Sequence, residues 1–439
     1  MEVATVIETR QGAGGRSGGK YVPLVVALFF IWGFCTVLVD TLIPKLKALF
    51  SLSYAEVMLT QFCFFLAYLV FSVPAAKLLT RIGYTRLVVA GLGLIAVGAA
   101  TFSPAAYLGV YPVFLLALFI LAGGITFLQV AANPLMALLG EPSKSHSRLT
   151  IAQAFNSLGT TVGPWFGAAL ILGAASVPAP DPASVTTAAL EAYRRAEAHA
   201  VQAPFLGIAA VMVVMAVVFF VLRDRVTDIK PARAVSGGSS LALLKRHPQL
   251  AMGVASIFVY VGAEVSIGSV MTNYLMQPTT LGLAAAQAGR LVSLYWGGAM
   301  IGRFIGFVVL RRVSPGKVLA ACALGACALA VASSSSAGAF AGACIIAIGL
   351  MNSIMFPTIF TLGIENLGDD TPQGSGLLCM AIVGGAVVPL ITGFVADHVG
   401  LGLSLLVPAV CYLWIALFGW LSRKPAASVT AEAPVLDTL

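Results

Sequence analysis

The chain has 439 residues, 59% of them apolar and 10% charged, with a mean hydropathy of +0.98. A soluble domain carries roughly 25% charged residues, so this composition excludes a water-facing globule and points to an all-α membrane protein. The net charge of +8 is placed in loops, as described below, and does not call for a nucleic-acid partner.

Residues 1–20 are polar and rich in Gly and Arg. The first apolar run, Pro23 to Ile43, is too long for a signal-peptide core and has no clear cleavage site after it, so it counts as the first span. Further apolar runs of spanning length follow at 56–79, 87–105, 112–138, 149–173 and 203–222. Six more lie at 248–275, 286–310, 316–334, 338–363, 373–397 and 400–421. Turn residues are fewest between the ninth and tenth spans and between the last two.

Two longer connections interrupt this series. Residues 174–202 are Ala/Pro-rich and end in LEAYRRAEAHAVQ (Leu190–Gln202), which predicts a short helix on the outer surface. Residues 223–247 are charged and divide the spans six and six, as a linker between transporter halves does. The expected organisation is therefore a six-helix bundle over 1–222, a cytoplasmic linker over 223–247, a second six-helix bundle over 248–423, and a disordered tail over 424–439. With the N-terminus inside, all but Lys45, Lys47, Arg194, Arg195, Arg290 and Arg303 of the 25 Lys and Arg fall on the cytoplasmic side. The positive-inside rule favours that orientation, and an even number of crossings returns the C-terminus to the cytoplasm. The acidic loop Glu365–Asp370 is the exception.

The halves repeat weakly. The fourth span ends QVAANPLMALLGE (Gln129–Glu141) and the tenth ends SIMFPTIFTLGIE (Ser353–Glu365), each with one proline followed by an acidic exit. The fifth and eleventh spans share Gly-rich runs with one proline: Gly159, Gly163, Pro164 and Gly167 against Gly384, Gly385, Pro389 and Gly393. Small residues at this spacing let helices approach closely. The seven cysteines all fall in apolar stretches without a CxxC pair, so neither a disulfide framework nor a metal site is indicated.

A charge at mid-bilayer is expensive and is a functional candidate by default. Only two acids lie deep in spans, Asp40 and Glu264. Trp32, Thr36 and Asp40 stand at i, i+4 and i+8 on one helix face. A ring, a hydroxyl and a carboxyl on one stripe suit a polar, ring-shaped solute. The fourth span places Thr126, Gln129 and Asn133 on one face, and the fifth places Gln153, Asn156 and Thr160. Amides both donate and accept hydrogen bonds, which a polyhydroxylated solute requires. The seventh span adds Tyr260, Glu264 and Asn273, and the tenth adds Asn352. Taken singly, each amide has an equal alternative in bonding a neighbouring helix. Arg303, in GRFIG near the cytoplasmic end of the eighth span, is free to snorkel to the interface and is assigned with Gly163 and Pro164 to structure or gating.

At these residues the chain resembles the fucose–galactose–glucose:cation symporters of the major facilitator superfamily, from about Phe29 to Trp420. The stretches that carry the likeness are Phe29–Lys47, Phe127–Gly140, Arg148–Pro164, Phe258–Ser269, Gly302–Gly306 and Phe356–Gly368. QVAANP and YVGAEVSIGS are similar to the glucose/galactose branch. The resemblance implies twelve transmembrane helices in two six-helix bundles, with Asp40 in cation coupling and Gln153 and Asn156 lining a sugar cavity. Gln129 stands where the fucose symporter has a glutamate implicated in proton coupling, and Thr80 replaces the usual aspartate of the loop after the second span.

The resulting expectation is a non-enzymatic transporter of the bacterial inner membrane. It imports a neutral hexose by symport, with a proton preferred over sodium, and needs no cofactor beyond that cation. Its partners are the sugar and the lipid bilayer, and the chain is expected to be monomeric. A drug-efflux antiporter on the same fold would favour an apolar cavity, which the amide stripes oppose. A membrane-embedded enzyme or sugar receptor would need a nucleophile–base cluster, metal ligands or a soluble domain, none of which the sequence shows.

Overall fold

The computed structural model describes residues 21–50, 54–108, 110–139, 141–167, 187–226 and 239–423; within these, the side chains of 37–59, 61, 106, 142, 164–201, 224, 226, 285 and 286 lie outside the description. Hydrocarbon offers no water to backbone N–H and C=O groups, so each spanning segment satisfies its own as a helix. The first six spans are α1 (Val22–Phe50), α2 (Tyr54–Ile82), α3 (Tyr84–Leu108), α4 (Tyr111–Leu138), α5 (Ser145–Gly167) and α6 (Thr187–Val226). A short α7 (Ser240–Arg246) precedes α8 (Pro248–Met276), α9 (Ala285–Val309) and α10 (Pro315–Ser335). The last three spans are each made of two helical pieces: α11 (Gly338–Asn352) with α12 (Met355–Ile364), α13 (Thr371–Met380) with α14 (Gly384–Val399), and α15 (Leu401–Ser404) with α16 (Leu406–Leu421). Among the described residues, ten helical stretches are long and apolar enough to cross a membrane, and Val22–Thr36 is a shorter apolar one.

Helix starts follow local chemistry. Proline occupies the first turn of α4, α8, α10 and α13, where its missing N–H costs nothing. The Ser239 hydroxyl caps α7 by accepting from the Ala242 N–H at 3.2 Å. The two boundaries with few turn residues fall at Gly338 and Gly400, which take positive φ values of 64° and 92°.

One expectation needs correction here. The segment Leu190–Gln202 is not a separate surface helix but the first part of α6, which runs 40 residues without interruption. Ala, Glu and Arg are good helix formers, and nothing before Pro204 breaks their continuity with the apolar span. The linker is helical at both described ends, since α6 extends to Val226 and α7 occupies Ser240–Arg246. Residues 227–238 and the tail 424–439 lie outside the described residues.

The halves pack by the same plan. In the first, α1 lies on α5 and α3 on both α4 and α6; in the second, α8 lies on α14 and α10 on both α11 and α16. The repeated glycines explain the first of these pairings. A Cβ on Gly159 would overlap the Phe30 carbonyl oxygen of α1, and a Cβ on Gly384 would overlap the Phe258 carbonyl oxygen of α8. Backbone lies against backbone at both places. Between the halves, α9 packs on α5, and α13 packs on α2 and α4.

One end of the bundle is tied by side chains. Arg148, at the start of α5, donates from Nε to the Met136 carbonyl at 3.3 Å and from Nη2 to Ala137 at 2.7 Å, closing the C-terminal turn of α4. In the second half Gln249, at the start of α8, donates to the Leu362 carbonyl of α12 at 2.6 Å. Half-burial raises the neighbouring Glu365 carboxyl above its ordinary pKa, and the Gln249 amide partly offsets this. The acidic loop that broke the charge rule is matched by basic groups on the same end: Asp370 lies 3.8 Å from Arg246 and 3.7 Å from His247.

Replacing Gly384 with Ala should lower stability by about 1–3 kcal/mol, the usual cost of overpacking. Gly207→Ala, where an added Cβ meets nothing within 4 Å, should change it by no more than about 0.5 kcal/mol. Thermal unfolding of the two purified variants in detergent checks the difference.

Candidate functional site

The wall contributed by the first half rests on α1, α4 and α5. Trp32 is buried against Phe29, with ring centroids 4.3 Å apart. Thr36 is half-buried, and its hydroxyl donates to the Trp32 carbonyl one turn back at 2.8 Å. Asp40 lies one turn further along α1, but its side chain is outside the described residues, as is that of Pro164 on α5. Asn156 is half-buried, and its Nδ2 donates to the Phe29 carbonyl at 2.9 Å. That bond fastens α5 to α1 beside the Gly159 contact and leaves the amide oxygen over. Gln153 is buried and donates to Asn133 Oδ1 at 3.4 Å.

The remaining polar groups of these stripes are also engaged or buried. Gln129 is spent on a neighbour, its Nε2 donating to the Tyr68 hydroxyl of α2 at 2.6 Å. Asn133 is fully buried behind Gln153, and its Nδ2 has no partner. Thr126 is fully buried and bonded to the Ala122 carbonyl of its own helix. Thr160 likewise donates to the Ser157 carbonyl at 2.9 Å. Gly163 is buried in α5.

In the second half a hydrogen-bond network surrounds Glu264, which stands at the middle of α8 and keeps some accessible surface. The Tyr260 hydroxyl donates to Glu264 Oε1 at 2.8 Å and also lies 3.2 Å from the Asn352 carbonyl oxygen. Asn352 Nδ2 donates to the Tyr295 hydroxyl at 2.8 Å, and that hydroxyl lies 3.4 Å from the Glu264 carbonyl. Tyr260, Asn352, Tyr295 and Tyr412 are all fully or almost fully buried. The Tyr412 hydroxyl and Asn352 Oδ1 have no partner. Asn273, by contrast, is exposed near the end of α8 and does not join the network.

Sequence reasoning missed Tyr68, Tyr295 and Tyr412. A tyrosine inside an apolar span combines a large ring with a hydroxyl that needs a partner when buried, and that signal was available. It was overlooked because aromatic residues in spans read first as packing.

Arg303 does not snorkel. Its Nε donates to the Ser353 carbonyl at 3.0 Å, and Nη1 reaches the Gln153 carbonyl of the opposite half at 3.5 Å. The cause lies in Pro357, which has no N–H to offer the carbonyl four residues back. That carbonyl belongs to Ser353, and Arg303 supplies the missing donor. The repeat-related proline acts in the same way. Pro134 leaves the Val130 carbonyl without its helical donor, and the Ser375 hydroxyl of the other half donates to it at 2.9 Å. Ser147 Oγ donates to the Phe307 carbonyl at 2.8 Å, and His146 Nδ1 lies 2.5 Å from Thr361 Oγ1. These contacts join the halves toward the end that carries Lys144, Arg148 and Arg311.

Two similar helical bundles joined at one end, with polar walls on both sides, define a membrane transporter. The chain matches the Major Facilitator Superfamily profile over residues 24–378. It is 49% identical over 410 residues to the glucose/galactose transporter of Brucella abortus, covering 93% of this chain and 95% of that one. It is 35% identical over 428 residues to the L-fucose-proton symporter of Escherichia coli, covering 94% and 96%. A crystal structure of the transporter FucP in the outward conformation superposes with a TM-score of 0.86 at 34% identity, covering 93% of this chain and 100% of that one. The chain belongs to the fucose–galactose–glucose:cation symporter family of that superfamily, with its twelve transmembrane helices in two six-helix bundles.

Ser375→Ala should leave the Val130 carbonyl unpaired, at a cost of about 1–3 kcal/mol to the conformation described here. Spin labels placed at Lys144 and Arg312 should then show a larger share of long separations than in the parent protein. An unchanged distance distribution would show that this contact does not hold the end closed.

Proposed function

We propose that the protein imports a neutral hexose of the glucose/galactose type together with a proton, by alternating access across the bacterial inner membrane. The observation that carries this reading is the pair of unlike polar walls, amide-rich in the first half and carboxyl–tyrosine in the second, on two bundles joined at one end. Identity to a relative named as a glucose/galactose transporter supports the sugar class, and one named as an L-fucose-proton symporter supports the cation. The proposed topology puts both termini, and the joined end, in the cytoplasm. The two halves are assigned to residues 1–222 and 248–423, with 223–247 as their cytoplasmic linker.

In this reading Trp32 offers a ring face to the sugar, and Gln153 and Asn156 offer amides to its hydroxyls. Tyr260 and Glu264 bound the cavity from the second half. Thr36 lies on the same α1 face, and Gln129, Asn133 and Asn352 hold the walls in place from behind. Asp40 is the coupling carboxylate. Protonation would neutralise the one acid on the α1 stripe and allow the loaded cavity to close without burying a charge, a cost of about 2.5–3.5 kcal/mol on insertion scales. Gln129 cannot titrate, so within the first half the coupling rests on Asp40.

Three measurements test this reading. Asp40→Asn should abolish gradient-driven accumulation of labelled glucose or galactose in proteoliposomes while the protein remains folded and inserted. Gln153→Ala and Asn156→Ala should each weaken sugar binding by about 0.5–1.5 kcal/mol in calorimetry, the net value of a hydrogen bond; unchanged affinity in both would assign them to structure alone. Uptake at constant pH should persist without sodium. Strict sodium dependence would replace the proton and leave the hexose assignment standing.

A further inference from the structure

We propose that Glu264 is a second proton-binding coupling site, in the second half, built so that the Tyr260 hydroxyl serves both of its protonation states. This rests on the symporter reading above, which placed coupling on Asp40 alone. The decisive geometry is that one phenolic proton has two acceptors within reach, Glu264 Oε1 at 2.8 Å and the Asn352 carbonyl oxygen at 3.2 Å. With Glu264 ionised, Tyr260 donates to the carboxylate. When the carboxylate takes a proton from water, its new O–H donates to the Tyr260 oxygen, and the phenolic O–H turns to the Asn352 carbonyl. The proton is added to one oxygen, no bond between heavy atoms changes, and neither state leaves a buried donor unpaired.

The surroundings hold this switch in position. The Asn352 side chain is fixed by Tyr295, whose hydroxyl in turn lies against the Glu264 carbonyl. Asn352 also ends α11, where the span breaks before α12 begins at Met355. A proton arriving at Glu264 therefore changes a hydrogen bond at the one discontinuity of the tenth span.

Among the described residues the charged and titratable groups around Glu264 are few. They are Tyr260 on its own helix, Tyr295 and Arg303 on α9, and Tyr412 on α16, with Cys327 and Cys411 beside Tyr412. Asp397 and His398 of α14 are exposed near its far end. Among the described residues no ion pair within 4 Å joins Arg303 to Glu264, because the guanidinium is held by the Ser353 and Gln153 carbonyls. Arg303 thus spends these hydrogen bonds on backbone carbonyls and leaves Glu264 to the Tyr260 hydroxyl.

The test is calorimetry of galactose and glucose binding to the full-length protein in two buffers of different ionisation heat, between about pH 5 and 8. The difference between buffers counts the protons taken up with each sugar. Wild-type protein should take up protons on binding, and Glu264→Gln should lose about one of them at the pH of greatest uptake. Glu264→Asp should retain that proton. Where Glu264→Gln does not insert, Tyr260→Phe carries the test, because removing the hydroxyl must displace the pH profile of proton uptake. Proton counts and pH profiles equal to wild type in the Gln or Phe variant would overturn the proposal. Sugar binding without any proton movement in the wild type would overturn it while leaving the hexose reading intact. Absence of hexose binding in the wild type would remove both.

Discussion

The closed end of this protein depends on one constraint: a backbone carbonyl in hydrocarbon must find a donor. A helix normally supplies it internally, and a proline withdraws it. Pro134 and Pro357 stand at corresponding places in the two halves, and each leaves one carbonyl open, Val130 and Ser353. Their donors come from other elements, Ser375 across the seam and Arg303 on the neighbouring α9. Arg303 then extends to the Gln153 carbonyl of the opposite half. Seen this way, the prolines of the internal repeat create docking points, and the contact between halves is assembled from groups that each helix could not satisfy alone.

The same constraint separates the two polar walls. In the first half the amides can be shared with neighbours at little cost, because an amide is neutral and bonds in both directions. Gln129 with Tyr68, Gln153 with Asn133, and Asn156 with the Phe29 carbonyl all show this. In the second half a carboxyl is the central group, and it requires a more elaborate support. Three tyrosines and one asparagine surround Glu264, and every one of them is buried. Among the described side chains the first-half wall is thus neutral, with the proposed coupling acid Asp40 one turn further along α1, whereas the second half centres on an ionisable group with adjustable partners.

How much of this was legible in the sequence follows from what periodicity can record. Long apolar runs revealed the spans because hydrocarbon thickness fixes their length, and paired glycines marked the fifth and eleventh spans for close approach, which the structure realises against α1 and α8. Face assignments put Tyr260 and Glu264 on one stripe, where the structure shows them bonded. They say less where the outcome depends on a neighbour. A long arginine near a span end has two ways to be satisfied, and only the open Ser353 carbonyl turns Arg303 inward. Gln129 and Asn133 share a face with positions assigned to the site, yet α2 and α5 lie close enough to engage them first. Asn273 continues the list of polar residues on α8 but sits nine residues beyond Glu264, about half a turn away around the helix, and ends exposed. The joining of Leu190–Gln202 to α6 escaped notice because polarity suggested a boundary where backbone propensity imposed none.

The pairing of elements across the seam bears on how such a molecule could alternate. The first half presents α5 to α9, and the second presents α13 to α2; since α5 and α13 belong to repeat-related spans, as do α2 and α9, the two contacts are versions of one another. Among the described residues the N/O hydrogen bonds between halves are few: Ser147 to Phe307, Ser375 to Val130, His146 with Thr361, and Arg303 to Gln153, beside a weaker contact of the Thr161 hydroxyl with the Met300 sulfur. Each of the four contributes about 0.5–1.5 kcal/mol net, so together they amount to about 2–6 kcal/mol. That is the scale on which a ligand can redistribute two conformations, since moving a 1:99 population to 99:1 takes about 5.5 kcal/mol. A seam sealed by buried ion pairs would resist opening far more strongly, because separating such a pair leaves uncompensated charge. Hydrogen bonds to proline-freed carbonyls are weak enough to exchange for water and specific enough to re-form in register. For the proposed alternating access, this keeps the polar part of the closed end within the range of ligand-binding energy.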